Sequence, residues 1–208
     1  ELATKAKIEG VKQFIFMSSM IVYGASSKIA ETKVITKETI PEPINFYGNS
    51  KLLAEKGILL LQSEKFDVVV IRPPMIYGKG SKGNYPLLAK FAKSSPIFPD
   101  IDNQRSMLHI DNLSEFIRLM IDNEEKGTYF PQNKEYVKTA EMVGMIAKIN
   151  GKKIKPIKFF NPLLWKMGKK INIVSKVFGS FIYDLELSEY KEKYNIRNFE
   201  ESIKATEA

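Results

Sequence analysis

Two near-continuous apolar runs, Val11 to Met17 (VKQFIFM) and Phe66 to Ile71 (FDVVVI), bracket a long proline-free stretch, and nothing else in the sequence constrains the fold as tightly. Neither run alternates polar with apolar residues, as a strand with one solvated face does, so both read as strands covered on both sides. Between them, Tyr47 to Lys65 carries apolar residues at 52, 53, 58, 59, 60 and 61 and predicts a long helix, weakened by Gly57. Strand, helix, strand is a βαβ unit, which implies a parallel sheet with helices over it. Ser18-Ser19 closes the first run and Arg72-Pro73-Pro74 stops the second. Glu1 to Glu9 reads as the end of a helix, with Gly10 as its C-terminal stop.

Beyond Tyr77 the elements shorten. The pattern predicts helices near 84–94, 112–124, 139–149, 161–178 and 198–205, and strands near 107–110, 128–131 and 154–158. Asp111 and Thr139 are the expected N-caps of two of these helices. Gly78 to Gly83 (GKGSKG) spells G-x-G-x-x-G, but two prolines precede it and the segment after its helix (SSPIFPD) reads as a poor strand. It is therefore taken as a loop whose amides can face a phosphate, not as a dinucleotide fingerprint. Asn84 follows where a Walker loop needs Lys.

Composition narrows the chemistry. The chain has no Cys and a single His, His109, which excludes thiolate or multi-histidine metal sites and cysteine nucleophiles. No apolar run approaches the roughly 20 residues of a membrane span, and the reading is a soluble, cytoplasmic protein. The net charge of +8 is concentrated between Met142 and Tyr183, where no Asp or Glu occurs. Lysines fall there at 148, 152, 153, 155, 158, 166, 169, 170 and 176, interleaved with Leu163, Leu164, Met167, Ile171, Val174 and Phe178 at helical spacing. That segment reads either as a packed helix with solvated lysines or as a basic face for an anionic membrane; no nucleic-acid motif accompanies it.

Tyr47 and Lys51 stand four apart, on one helix face, where a cation favours the ionised form of a neighbouring phenol. In a lysine-rich chain that spacing alone is no better than chance. Order and context carry more. From N to C the chain presents FIFMSSMIVYG at 14–24, FYGNSK at 46–51, VIRPPMIYG at 70–78 and QRSMLHIDNL at 104–113. This succession resembles the extended short-chain dehydrogenase/reductase family, and within it the NAD-dependent nucleotide-sugar epimerases and dehydratases.

The resemblance implies a Rossmann-like parallel sheet, the C-terminal half of a doubly wound α/β fold, over residues 1–78. A small α+β substrate-binding subdomain would follow over 79–208, with some segments returning to the sheet. It implies Ser19, Tyr47 and Lys51 as catalytic residues and NAD as cofactor, contacted by Ser18, Tyr47, Lys51 and Pro73. Ser19, Tyr47, Asn84 and Arg105 would touch a UDP-sugar, with Arg105 and Asn84 at its diphosphate. His109 falls on an apolar strand and reads as structural.

The activity implied is 4-epimerisation of a UDP-hexose or UDP-N-acetylhexosamine, by transient oxidation at C4. Met75 stands where many members have Asn, and with Gly179 to Asp184 (GSFIYD) it is similar to a branch of surface-polysaccharide synthesis that includes 4-ketoreductases. Met20-Ile21 after Ser19 supply no acid for a dehydratase. A non-catalytic basic membrane-surface module is the alternative from another class. The family's opening strand and glycine-rich turn are not found before Glu1, so the expectation is a C-terminal portion that binds NAD weakly alone, with the edge of strand 11–17 left for a second copy or a completing segment.

Overall fold

The computed structural model describes residues 1–24, 31–159, 161–168 and 172–208. In chain order the elements are α1 (Leu2–Ile8), β1 (Gln13–Met17), a 3₁₀ turn over Met20–Tyr23, β2 (Thr32–Ile35), α2 (Phe46–Leu59), β3 (Asp67–Ile71) and β4 (Met75–Tyr77). There follow α3 (Asn84–Ser94), β5 (Ile97–Pro99), β6 (Met107–His109), α4 (Ile110–Asp122), β7 (Gly127–Tyr129), α5 (Thr139–Ile149) and β8 (Lys155–Ile157). The last are α6 (Asn161–Gly168), α7 (Asn172–Phe178), β9 (Ser180–Tyr183), a second 3₁₀ turn over Glu186–Ser188 and α8 (Phe199–Glu207).

The main sheet is parallel, in the order β1-β3-β7, with Gln13 to Met17 in register with Asp67 to Ile71. The central strand explains its own composition. Val68 and Val70 face one side, where they pack with Phe66, Ala6, Phe14, Phe16 and Ile58 beneath α1 and α2. Val69 and Ile71 face the other, against Leu113, Phe116 and Met120 of α4. All four are fully buried, so none of these four positions tolerates a polar side chain. Three further parallel pairs, β2 with β9, β4 with β6 and β5 with β8, extend the molecule away from the C-terminal end of this sheet. The largest core cluster lies there, around Tyr77, Leu88, Phe98, Met142 and Ile146 of β4, α3, β5 and α5.

Several details differ from expectation. The long helix stops at Leu59, because Leu61 and Gln62 close a tighter turn onto Ile58 and Leu59 and Ser63 then bridges to Phe66. The N-cap of α4 is His109, whose Nδ1 accepts from the Asp111 amide; Asp111 lies inside the first turn. Lys138 is the N-cap position of α5, and the Thr139 hydroxyl instead donates to the Val177 carbonyl. The segment SSPIFPD does form a strand, β5, held by β8. The glycine loop also leaves a strand directly, since β4 runs into Gly78. It still is no βαβ crossover, because β4 and β5 on either side of α3 belong to different sheets. Over the single helix expected at 161–178, the described residues form α6 and α7. Between them, Lys169, Lys170 and Ile171 lie outside the described residues, as do the side chains of Leu163, Met167 and Lys176.

Candidate active site

The C-terminal ends of β1 and β3 are where an open parallel sheet offers a ligand crevice. Past the strand ends the ladder continues for one more step on each side of Ser19. The Ser18 amide donates to the Ile71 carbonyl at 2.7 Å, and the Met20 amide to the Pro73 carbonyl at 2.9 Å. Ser19 is thereby held extended (φ −165°, ψ 150°), half-buried, with its hydroxyl accepting from the Ile21 amide at 3.3 Å to cap the first 3₁₀ turn.

The other two expected catalytic residues come from the first turns of α2. Asn45 caps this helix by accepting from the Gly48 amide. Gly48 is the point of closest approach: a β-carbon there would lie 2.9 Å from the Ile21 carbonyl oxygen and 2.9 Å from Pro43 Cβ. Only glycine lets α2 press onto the turn that follows Ser19. Lys51 then reaches back to β1, its Nζ donating to the Met17 carbonyl at 2.7 Å. The same ammonium lies 4.9 Å from the Phe16 ring centre and 5.8 Å from that of Tyr47. Tyr47 is 54% exposed, and no side-chain hydrogen bond of its hydroxyl occurs among the described residues. Ser19, Tyr47, Lys51 and Pro73 are thus gathered at one end of the main sheet.

Beneath them is an arrangement that sequence reasoning missed. Glu55, one turn beyond Lys51, is buried and takes a two-pronged ion pair from Arg72, with Nη2 to Oε2 at 2.6 Å. The Ser18 hydroxyl donates to the same carboxylate, and Arg72 Nη1 donates to the Tyr23 hydroxyl at 2.7 Å. Ser18 therefore turns its side chain into the core. Burial pulls the Arg72 guanidinium down, but hydrogen bonding and charge from Glu55 outweigh it and leave the pKa raised. The available signal was an Arg directly after four buried strand residues, a charge that cannot stay there without a carboxylate.

Arg105 and Asn84 lie elsewhere. Among the described residues, no hydrogen bond joins either to Ser19, Tyr47 or Lys51. Arg105 precedes β6, bridges to Phe181 of β9 and donates from Nη1 to the Gly179 carbonyl at 3.0 Å. No carboxylate pairs with it among the described residues, and burial pulls its pKa down to about 10. It remains a cation at neutral pH, desolvated and without a counter-ion, an arrangement that suits an anionic ligand. Its strand is tied to the main sheet, because the Ser106 hydroxyl accepts from the Tyr183 amide and the Tyr183 hydroxyl donates to the Arg72 carbonyl. Asn84 opens α3, whose preceding Gly83 (φ 112°) supplies no side-chain cap to the first-turn amides. His109 is buried, and its Nε2 has no partner among the described residues.

The donor set at the sheet end fits a nicotinamide ribose. Lys51 gives one hydrogen bond to the protein among the described residues, leaving two of its three donors for ribose hydroxyls.

Residues 1–131 match the profile of the NAD dependent epimerase/dehydratase family. The chain is 33% identical over 194 residues to a UDP-glucose 4-epimerase of Vibrio cholerae, a match covering 88% of this chain and 58% of that protein. It is 30% identical over 178 residues to an N-acetyl-alpha-D-glucosaminyl-diphospho-ditrans,octacis-undecaprenol 4-epimerase of Escherichia coli O157:H7, covering 82% of this chain and 52% of that one. The chain spans just over half the length of these curated relatives. The solved UDP-glucose 4-epimerase of Thermus thermophilus in complex with NAD superposes with a TM-score of 0.69 at 19% identity, covering 99% of this chain and 66% of that one. The likeness establishes the Rossmann-like α/β fold.

Proposed function

The chain belongs to the NAD dependent epimerase/dehydratase family, and from that membership we propose that it carries the catalytic groups of an NAD-dependent 4-epimerase acting on a UDP-hexose or UDP-N-acetylhexosamine. The observation that supports this most is the convergence of an exposed phenol, an ammonium and a strand-end hydroxyl where β1 and β3 end. Bound NAD supplies the hydride acceptor and donor. Tyr47 takes the proton of the sugar C4 hydroxyl and later returns it. Ser19 hydrogen-bonds the same oxygen and steadies the carbonyl as it forms. Lys51 holds the nicotinamide ribose and keeps positive charge beside the tyrosine ring, while Pro73 walls the nicotinamide. Arg105 and Asn84 hold the diphosphate. Residues 1–78 serve the cofactor and the chemistry, and 79–208 mainly the substrate.

Among the described residues no helix is long and apolar enough to cross a membrane, which fits a cytoplasmic enzyme drawing on soluble sugar nucleotides. A homo-oligomer is proposed as well, since the outer edge of β1 has no strand partner among the described residues. The test is Tyr47→Phe, assayed with NAD and UDP-N-acetylglucosamine. The expected result is a loss of activity of about 100-fold or more, with UDP affinity nearly unchanged. Full turnover by the variant would remove the tyrosine from the reaction.

Met75 on β4 favours a second reading, reduction of a 4-keto sugar with the same three groups. Steady NADH consumption with a 4-keto sugar, without interconversion of the two UDP-hexosamines, would select it.

A further inference from the structure

The Ser19 hydroxyl does not itself lock onto α2. It accepts from the Ile21 amide at 3.3 Å, a bond inside its own turn, and among the described residues no hydrogen bond joins it to Tyr47 or Lys51. Its segment is held from both ends, and both ends finish on one buried charge pair. Before Ser19, the Ser18 hydroxyl donates to the Glu55 carboxylate. After it, where the 3₁₀ turn ends, the Tyr23 hydroxyl accepts from Arg72 Nη1 at 2.7 Å. Arg72 closes on Glu55 through Nε and Nη2. Glu55 stands about one helical turn beyond Lys51 and two beyond Tyr47 on α2. The carboxylate that anchors the hydroxyl's segment therefore rides on the helix that carries the phenol and the ammonium.

Arg72 gathers two further strands. Its carbonyl accepts from the Tyr183 hydroxyl of β9 at 2.8 Å, and its amide donates to the Tyr129 carbonyl of β7 at 2.9 Å. Its guanidinium lies 5.3 Å from the ring centre of Tyr23 and 5.7 Å from that of Phe130. A planar fork bonded on two edges and faced by two rings is fixed in direction, which an ammonium on a flexible stem is not. Tyr23 and Glu55 are 3% and 1% exposed, so water does not compete for these bonds. Reacting groups have to meet at about 3–3.5 Å, and a misplacement of about 1 Å can cost about 100-fold in rate.

We propose that Arg72 and Tyr23 are positioning residues: the series Glu55–Arg72–Tyr23 sets where the Ser19 hydroxyl stands relative to the Tyr47 phenol, and so governs the chemical step without touching substrate. The proposal rests on the reading of Ser19 and Tyr47 as the reacting pair. It adds a control on rate that is separate from substrate affinity.

The test is steady-state kinetics of the full chain with NAD and UDP-N-acetylglucosamine or a 4-keto sugar, alongside calorimetric titration with UDP. Tyr23→Phe removes one hydroxyl and keeps the ring that meets Arg72 and Tyr183. It is expected to lower kcat about tenfold and to leave KM and UDP affinity unchanged. Arg72→Lys keeps the charge opposite Glu55 but gives up the fork, and should show the same split. Combining the two should cost no more than Arg72→Lys alone, because both break the same bond. Tyr194→Phe is the control. Its hydroxyl is also buried but bonds Gln132 and Ser188, so the variant should melt earlier and keep its kcat. Wild-type kcat in Tyr23→Phe, an equal fall in Tyr194→Phe, or a loss confined to UDP affinity overturns the proposal and leaves Ser19 and Tyr47 in the reaction. If Arg72→Lys does not fold, Tyr23→Phe decides alone. A wild-type chain that turns over neither sugar removes the reading of the reacting pair, and the proposal with it.

Discussion

Glu55 and Arg72 hold a charge pair under Ser19, Tyr47 and Lys51, at 1% and 12% side-chain exposure. Removing one partner leaves the other charged and unpaired in the interior. Glu55→Gln should therefore cost about 3–5 kcal/mol, whereas Glu55→Met with Arg72→Met should recover most of that loss; urea denaturation of the three proteins decides it. An equal loss in single and double variants would mean that the pair matters through packing alone. His109 sets a pH dependence. Burial lowers its pKa below the ordinary 6.5, with Asp111 raising it and Arg197 lowering it by smaller amounts. The unfolded chain then takes up the proton first, so the stability His109 contributes is complete above about pH 6.5 and is lost as the pH falls towards its folded value. His109→Asn keeps an acceptor for the Asp111 amide and should flatten the stability profile as the pH falls below about 6.5. Parallel profiles would exclude the histidine as the cause. Tyr47 and Lys51 were legible because their spacing and neighbours carry a family pattern. The Ser18–Glu55–Arg72 cluster was not, because periodicity counts apolar residues and reads a lone Glu on a helix as solvated.

At the scale of elements, the fit of α2 onto the turn after β1 depends on Gly48. Gly48→Ala must displace either the Ile21 carbonyl or Pro43, each 2.9 Å from the new atom. Overpacking of this kind costs about 1–3 kcal/mol. The same displacement should move Tyr47 away from Ser19, so activity should fall further than stability does at a temperature where the variant is folded. Thermal melts alongside turnover would show it, and wild-type activity in a destabilised variant would refute the positional role. The buried strands β1 and β3 were readable since near-continuous apolar runs leave few alternatives. β2, β4, β5 and β9 were not, although the equally short β6, β7 and β8 were expected, because three or four residues are too few for a period to be dependable. Pro99 and Pro156 lie within β5 and β8, residues that argue against a sheet until both strands are seen to be short and paired at one edge.

At the scale of the molecule, the α/β class and the parallel main sheet followed from two apolar runs around one helix. The extension of small parallel pairs did not, because their partners lie far apart in the chain. Phe46, Leu53 and Leu60 stand seven apart along α2 and just past its end, at 90%, 67% and 85% exposure. Such an exposed apolar stripe should drive self-association. Sedimentation velocity is expected to give a dimer or larger species, and Leu53→Glu to shift it to monomer; a monomeric wild type would dispose of the idea. The pairing of β2 with β9 ties residues 32–35 to residues 180–183, and Tyr183 in turn secures the Arg72 carbonyl. On the ribosome, β2 must therefore wait, unmatched, until residues 180–183 have emerged. Assembly of the proposed active end is a late, high-contact-order event, exposed to chaperones and proteases in the interval.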